Sequence, residues 1–293
     1  HFNNTLTKTG RLSSSNPINL QNIPKRIAVN TPAAVEAVIK SIRRAFIAPP
    51  GYQIVKFDQS AVEFRILLCF ADEGPAITDI LAGRDPHWST VAAWKKVPYE
   101  AALVLPDGKQ LRDIAKTNNY GVAYGQTVEG FIDWCEGMGI PTTREGANEI
   151  FEAILNTKPA TLSWLTQQRI LVKAYGYAET YFGRRAYYPE LLNTETPWYI
   201  KQKHVREGVN SIIQGTAADI MKVAARRIWD SIHSEGLDAK TILAVHDEMV
   251  YVCRNDHVEQ LISVVDREAP AVVQWKLPLS VETGVGNSWG SIE

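Results

Sequence analysis

Apolar positions along this chain follow two different periods in separate blocks. Tyr52 to Phe57 is a strand-like run that ends on Asp58, and the next apolar set, Ala61, Val62, Phe64, Ile66, Leu67 and Leu68, predicts a helix with Glu63 and Arg65 outward. Ala45-Phe46-Ile47, ahead of Pro49-Pro50-Gly51, predicts a strand and a turn leading into that run. Thr241 to Cys253, TILAVHDEMVYVC, sets two runs rich in β-branched and aromatic residues around the polar tip His246-Asp247-Glu248, and so predicts a β-hairpin. Leu277 to Gly286 supplies a last strand.

From about Glu73 the pattern is helical. Gln110 to Tyr124 and Val205 to Ile232 read as helices, Thr142 to Ala174 continues the helical lobe, and Tyr177 to Glu190 reads as a hairpin around Gly183-Arg184-Arg185. The expected fold is α/β (α+β): an antiparallel sheet built from both ends of the chain, 1–72 and 204–293, with an all-helical lobe, 73–203, inserted between them.

Composition narrows the classes. A chain of 293 residues with 45% hydrophobic content buries a large core and sits where one domain begins to split into lobes. The formal net charge of -1 gives no global signal for nucleic acid, so any such surface is a local patch. Cys69, Cys135 and Cys253 are widely spaced, which argues against a disulfide framework or zinc site and suits a reducing compartment. No apolar run approaches the ~18 residues of a membrane span, so no membrane partner is expected.

Four patterns carry candidate chemistry, each beside a plainer reading. Asp58 and the hairpin tip bring carboxylates that, facing each other, would hold two Mg²⁺ ions; the tip alone is an ordinary solvated turn. Arg112, Lys116, Tyr120 and Tyr124 recur every four residues along one helical face. Two cations followed by two aromatics suit a nucleoside triphosphate, or a solvated helix whose tyrosines pack inward. Gly121 and Gly125, poor helix formers, point to close approach or a bend there. Arg206, Asn210 and Gln214 form a polar ladder at i, i+4 and i+8, able to read minor-groove acceptors or to bond neighbouring helices. The loop from His1 to Ala34 carries Arg11, Lys25 and Arg26, which suit phosphate contacts or plain solvent.

Taken together, these stretches resemble family A DNA polymerases, the family of bacterial DNA polymerase I and its bacteriophage relatives. TGRLSSSNPINLQNIP resembles the entry to the palm, DQSAVEFR at 58 to 65 resembles motif A, and RDIAKTNNYGVAYG at 112 to 125 resembles motif B. REGVNSIIQGTAAD at 206 to 219 and VHDE at 245 to 248 complete the set in family order. The resemblance implies a polymerase palm at 1–72 and 204–293 and helical fingers at 73–203.

The resemblance also implies roles. Asp58 and Asp247 would bind two Mg²⁺ ions, with the Gln59 backbone carbonyl as a further ligand, Glu248 as an adjoining catalytic carboxylate and Mn²⁺ as a substitute metal. Arg112, Lys116 and His87 would bind the incoming deoxynucleoside triphosphate, with Lys116 a proton donor to pyrophosphate. Glu63 would be the steric gate against a 2′-hydroxyl, with Tyr120 beside it. Tyr124 would stack near the templating base. Arg11, Asn210, Gln214 and His246 would contact primer-template DNA, supported by Arg206. A tyrosine at 120 accompanies acceptance of dideoxynucleotides in the family. The expected location is the cytoplasm of a bacterial or phage-infected cell, with an organelle as the alternative.

This sequence departs from the family pattern at Gln59 and Ala61, where many members carry Tyr and Gln, and by an additional residue in PINLQN. The expectation is that thumb and exonuclease domains are absent from the chain, either because an upstream part has been removed or because a second polypeptide supplies them, leaving this chain alone weakly processive or inactive. Two alternatives follow: a non-catalytic primer-template binding fragment, and a single-subunit RNA polymerase, against which Glu63 and Glu248 speak.

Overall fold

The computed structural model describes residues 2–3, 6–15, 19–23, 32–245 and 247–292. In chain order the first elements are β1 (Phe2–Asn3), β2 (Ser13–Ser14), α1 (Ala33–Arg44), β3 (Tyr52–Gln59) and α2 (Val62–Ala71). Helices α3 (Gly74–Leu81), α4 (Pro86–Lys95), α5 (Tyr99–Ala102), α6 (Gly108–Ala123), α7 (Val128–Gly137), α8 (Arg144–Thr157) and α9 (Pro159–Tyr175) follow. A small hairpin, β4 (Tyr177–Glu179) and β5 (Arg185–Tyr187), precedes the long α10 (Trp198–Ser234). The chain closes with β6 (Ala239–Val245), β7 (Glu248–Arg254), α11 (Val258–Glu268) and β8 (Val281–Gly286).

These elements form two compact units. One comprises 1–62, 214–274 and 278–293; the other comprises 63–213 and 275–277. The divisions fall at the start of α2 and inside the continuous helix α10.

The first unit is built on a four-stranded antiparallel sheet in the order β6-β7-β3-β8. Its central strand β3 pairs on both edges, so the backbone of 54–59 is satisfied by the sheet itself. One face buries Val55, Phe57, Met249, Tyr251 and Cys253 against Met221, Ala224, Ile228 and Ile232 of α10 and against α11. Those α10 positions recur at three and four residues, the period of a helix with one buried stripe. The Phe57 and Tyr251 rings stack at 6.1 Å. The other face buries Ile54, Leu243, Val245, Val250 and Trp289. The alternation of a strand thus sends residues 54 and 55 to different cores.

Two local expectations are corrected. Residues 45–47 do not form a strand: they follow the end of α1, and Ile47 makes a single isolated bridge to Ser288. Pro49 and Pro50, which lack N–H donors, prevent that bridge from extending. The last strand starts at Val281 rather than Leu277, because Leu277 packs with Phe64, Leu68 and Ile77 in the second unit.

The second unit is helical apart from its hairpin. Ile114 of α6 packs with Phe131 and Cys135 of α7 and with Ala147, Ile150 and Ile154 of α8. Gly208 of α10 lies against Val172 of α9, where a Cβ would collide with the valine side chain. No described helix is long and apolar enough to cross a membrane.

Candidate functional site

In the first unit, sheet register brings the motif carboxylates together. Asp58 pairs directly with Glu248 across β3 and β7, and the Gln59 N–H donates to the Asp247 carbonyl at 3.2 Å. Asp58 and Gln59 therefore meet Asp247, far from them in sequence, at one end of one antiparallel pair. Ala61, between β3 and α2, adopts φ of 50°, a left-handed conformation unusual for a residue with a Cβ. It lets the chain pass from strand to helix within three residues of Asp58.

Glu248 is 5% exposed. Its carboxylate accepts from the Trp289 indole Nε1 at 2.7 Å and lies 3.6 Å from the Lys56 ammonium. Arg43 sits 4.1 Å above the Trp289 ring and donates to the Ile23 carbonyl at 2.9 Å. Glu248 is thus held from behind the turn, while Asp247 lines a cavity of about 170 Å³ with Arg11, Met221, Lys222 and Met249. Lys222 was not singled out from sequence, yet it continues the Arg206, Asn210, Gln214 spacing by two further steps of four. Gln214 is half-buried, and the Asn210 Oδ1 is buried with no hydrogen-bond partner among the described residues. His246, Lys25 and Arg26 lie outside the described residues.

The second unit carries the nucleotide candidates. Arg112 grips Asp85 through Nε and Nη2, each 2.6 Å from Oδ2. Asp85 also caps α4, its Oδ1 accepting from the His87 N–H at 2.8 Å. His87, Phe64 and Tyr120 form a ring cluster with centroids 5.5 to 5.9 Å apart. Glu63 stands in the first turn of α2 beside Phe64. Burial pushes the His87 imidazole down to about 4, with Arg112, Lys158 and Lys116 acting in the same direction and Asp85 opposing. His87 Nδ1 is 3.0 Å from Asn119 Nδ2. Arg112, Lys116 and Tyr120 are half-buried along α6, and Tyr124 closes the helix.

The glycines of this helix have the reasons the pattern suggested. A Cβ on Gly121 would strike the Gln126 side chain, and Gly125, at φ of 80°, lies where a Cβ would come 3.3 Å from Arg206 Cδ. In the β4–β5 hairpin Arg185 pairs with Glu179 at 2.5 Å and lies 4.5 Å over the Tyr177 ring. Sequence reasoning passed over Asp85, Thr90, Asn119 and Lys158. Asn119, adjacent to Tyr120, was within reach of it, but Lys158 looks in sequence like any surface lysine.

The donor set suits a hard divalent ion. Two carboxylates and a backbone carbonyl are oxygen donors, and no group of three or more His, Cys, Asp or Glu side chains gathers among the described residues. That is the pattern of Mg²⁺, which keeps water and substrate phosphates as ligands, rather than of an all-protein cage.

The model of DNA polymerase family A matches residues 1–291. The thermostable DNA polymerase I of Thermus aquaticus is 36% identical over 293 residues, covering 98% of this chain and 32% of that protein. DNA polymerase I of Pseudomonas aeruginosa is 34% identical over 288 residues, covering 98% and 29%. The solved POL domain of Pol1 from M. smegmatis, in complex with DNA primer-template and dNTP, superposes with a TM-score of 0.85 at 30% identity, covering 99% of this chain and 48% of that one. These relatives are bacterial, and the chain spans about a third of the length of the curated ones. A match along nearly the whole chain means that the chain belongs to DNA polymerase family A.

Proposed function

We propose that this chain is the catalytic core of a template-directed DNA polymerase, adding deoxynucleoside triphosphates to a primer 3′-hydroxyl and releasing pyrophosphate. The observation that carries the reading is the β3–β7 register, which sets Asp58 opposite Glu248 and ties Gln59 to Asp247. The first unit acts as the palm and the second as the fingers.

Asp58, Asp247 and the Gln59 carbonyl would hold two Mg²⁺ ions, or Mn²⁺ in their place, and metals bound there would supply Lewis-acid activation of the 3′-hydroxyl and charge neutralisation of the triphosphate. Glu248, fixed by Trp289 and Lys56, holds the turn that presents Asp247. Arg112, Lys116 and His87 bind the triphosphate as donors, and Lys116 passes a proton to the leaving pyrophosphate. Glu63 and Tyr120 close off the space of a 2′-hydroxyl, and Tyr120 permits dideoxynucleotides. Tyr124 stacks near the templating base. Arg11, Asn210, Gln214 and His246 contact primer-template DNA, with Arg206 supporting them.

The test is primer extension with Mg²⁺ on a primed DNA template, comparing this chain with Asp247→Ala. The metal contribution is several kcal/mol, so the variant is expected to lose at least about 10²-fold in rate while keeping its affinity for primer-template. Equal and measurable extension by both proteins would remove Asp247 from the metal site, whereas no extension by either would point to a core that needs a thumb. Ribonucleotide incorporation equal to deoxynucleotide incorporation would replace the DNA reading with that of an RNA polymerase.

A further inference from the structure

A line of buried polar side chains runs from the His87 ring through Asn119 and Thr90 to Lys158. Asn119 Nδ2 lies 3.0 Å from His87 Nδ1 and 3.0 Å from Thr90 Oγ1. Lys158 Nζ donates to the same Thr90 oxygen at 2.9 Å and to Thr157 Oγ1 at 3.2 Å. Thr90 is fully buried, Asn119 is 3% exposed and Lys158 is 3% exposed. The Thr90 hydroxyl hydrogen has the Pro86 carbonyl at 3.2 Å and Asn119 Oδ1 at 3.3 Å to choose between. Nearby, Glu73 accepts from the Thr161 N–H at 2.7 Å, and its charge and that of Asp79 favour the Lys158 cation. Such a group, buried and far from the surface, has a high cost unless its position serves something.

The hydrogen-bond inventory gives the line a direction. An ammonium has three donors and no acceptor, so Thr90 Oγ1 must accept from Lys158. An amide nitrogen has two donors and no acceptor, so Asn119, placed between Thr90 Oγ1 and His87 Nδ1, gives one hydrogen to each. The two lone pairs of Thr90 are then filled, and its own hydrogen goes to Pro86 or to Asn119 Oδ1. His87 Nδ1 is left as an acceptor, and a neutral imidazole that accepts at Nδ1 carries its proton at Nε2. The imidazolium is excluded on two counts: it would set a donor against the Asn119 amide hydrogens, and it would place a fourth cation near Lys158, Arg112 and Lys116. Only Asp85, already engaged by Arg112 and by the His87 backbone, favours it.

We infer that Asn119 and Lys158 are positioning residues that hold His87 in its neutral, Nε2-protonated tautomer, so that the ring offers one directed N–H donor to a phosphate oxygen without adding charge. This rests on the assignment of His87 to the triphosphate. Its advantage is selective: a neutral donor recognises the geometry of the nucleotide, while Arg112 and Lys116 supply the charge, and the departing pyrophosphate is held by one cation fewer. Burial agrees, since it lowers the titration of His87 to about 4 and that of Lys158 to about 8, leaving the ring neutral and the amine charged at pH 7.

The experiment is ¹⁵N NMR of the whole chain labelled at histidine, with the His87 signals assigned by their loss in His87→Gln among the six histidines. In the wild type, Nδ1 is expected to resonate as an unprotonated and Nε2 as a protonated nitrogen, unchanged from pH 8 to pH 5. Asn119→Asp is expected to move the proton to Nδ1 and to raise the titration point above the ordinary histidine value. Lys158→Met, should the aspartate variant not fold, is expected to raise that point and to raise the KM for deoxynucleotide several-fold with a smaller change in kcat. A wild-type ring protonated at Nδ1, or one that titrates near 6.5, overturns the inference without any variant. The signals are read without nucleotide, so a correct tautomer in a protein whose His87→Gln variant binds nucleotide normally would instead remove His87 from the triphosphate site.

Discussion

Trp289 donates its indole N–H to Glu248 at 2.7 Å, and both side chains are buried. Trp289 belongs to the C-terminal segment and Glu248 to the turn end of β7, so this bond ties the chain end to the residue after Asp247. Trp289→Phe keeps most of the ring volume and removes the donor, leaving a buried carboxylate short of one partner. The expected loss is about 1–3 kcal/mol of stability, read from urea denaturation, together with slower primer extension. Unchanged extension with reduced stability would limit the bond to the fold.

Asp85 does two jobs with two oxygens. Oδ1 caps α4 and Oδ2 receives both Arg112 nitrogens. Asp85→Ala is expected to cost about 1 kcal/mol from the cap. With Arg112 no longer held by a charge-assisted pair, the KM for deoxynucleotide should rise about tenfold, measured by steady-state single-nucleotide insertion.

Acid should weaken the fold through His87. Its folded value of about 4 lies below its ordinary 6.5, so between those values the unfolded chain binds a proton that the folded one does not. The stability it contributes is full above pH 6.5 and is lost as pH falls through that window, at most about 3 kcal/mol. Denaturation midpoints of the wild type and His87→Gln should converge in their pH dependence above 6.5 and diverge below it.

Ala61 at φ of 50° pays a backbone cost that its neighbours impose. Ala61→Gly should be neutral or stabilising by up to about 1 kcal/mol, whereas Ala61→Val, with a branched Cβ in the left-handed region, should destabilise by about 1–3 kcal/mol. Thermal unfolding of the pair would show it. Equal melting temperatures would mean that the turn relaxes to another conformation.

Much of the architecture is legible in the sequence. Runs rich in β-branched and aromatic residues at 52–57 and 241–253 mark strands, and steps of three and four mark α6 and α10, because a side chain's direction is set by its own backbone within a few residues. That same locality put Arg112, Lys116, Tyr120 and Tyr124 on one helical face and made Asp58 and Asp247 carboxylates at strand ends. It failed at 45–47, where the residues after a helix make one isolated bridge, Ile47 to Ser288, instead of a strand.

What sequence determined, then, is which side chains share a face and which carboxylates stand at the ends of strands. Tertiary structure alone decided that Glu248 is held by Trp289 and Lys56, that Lys222 joins Asp247, and that Lys158 is buried beside Thr90. Those pairings join residues dozens to hundreds of positions apart. No local period encodes them: they are set when sheet pairing and helix packing exclude water, so that each buried donor must find its acceptor wherever the chain has brought one.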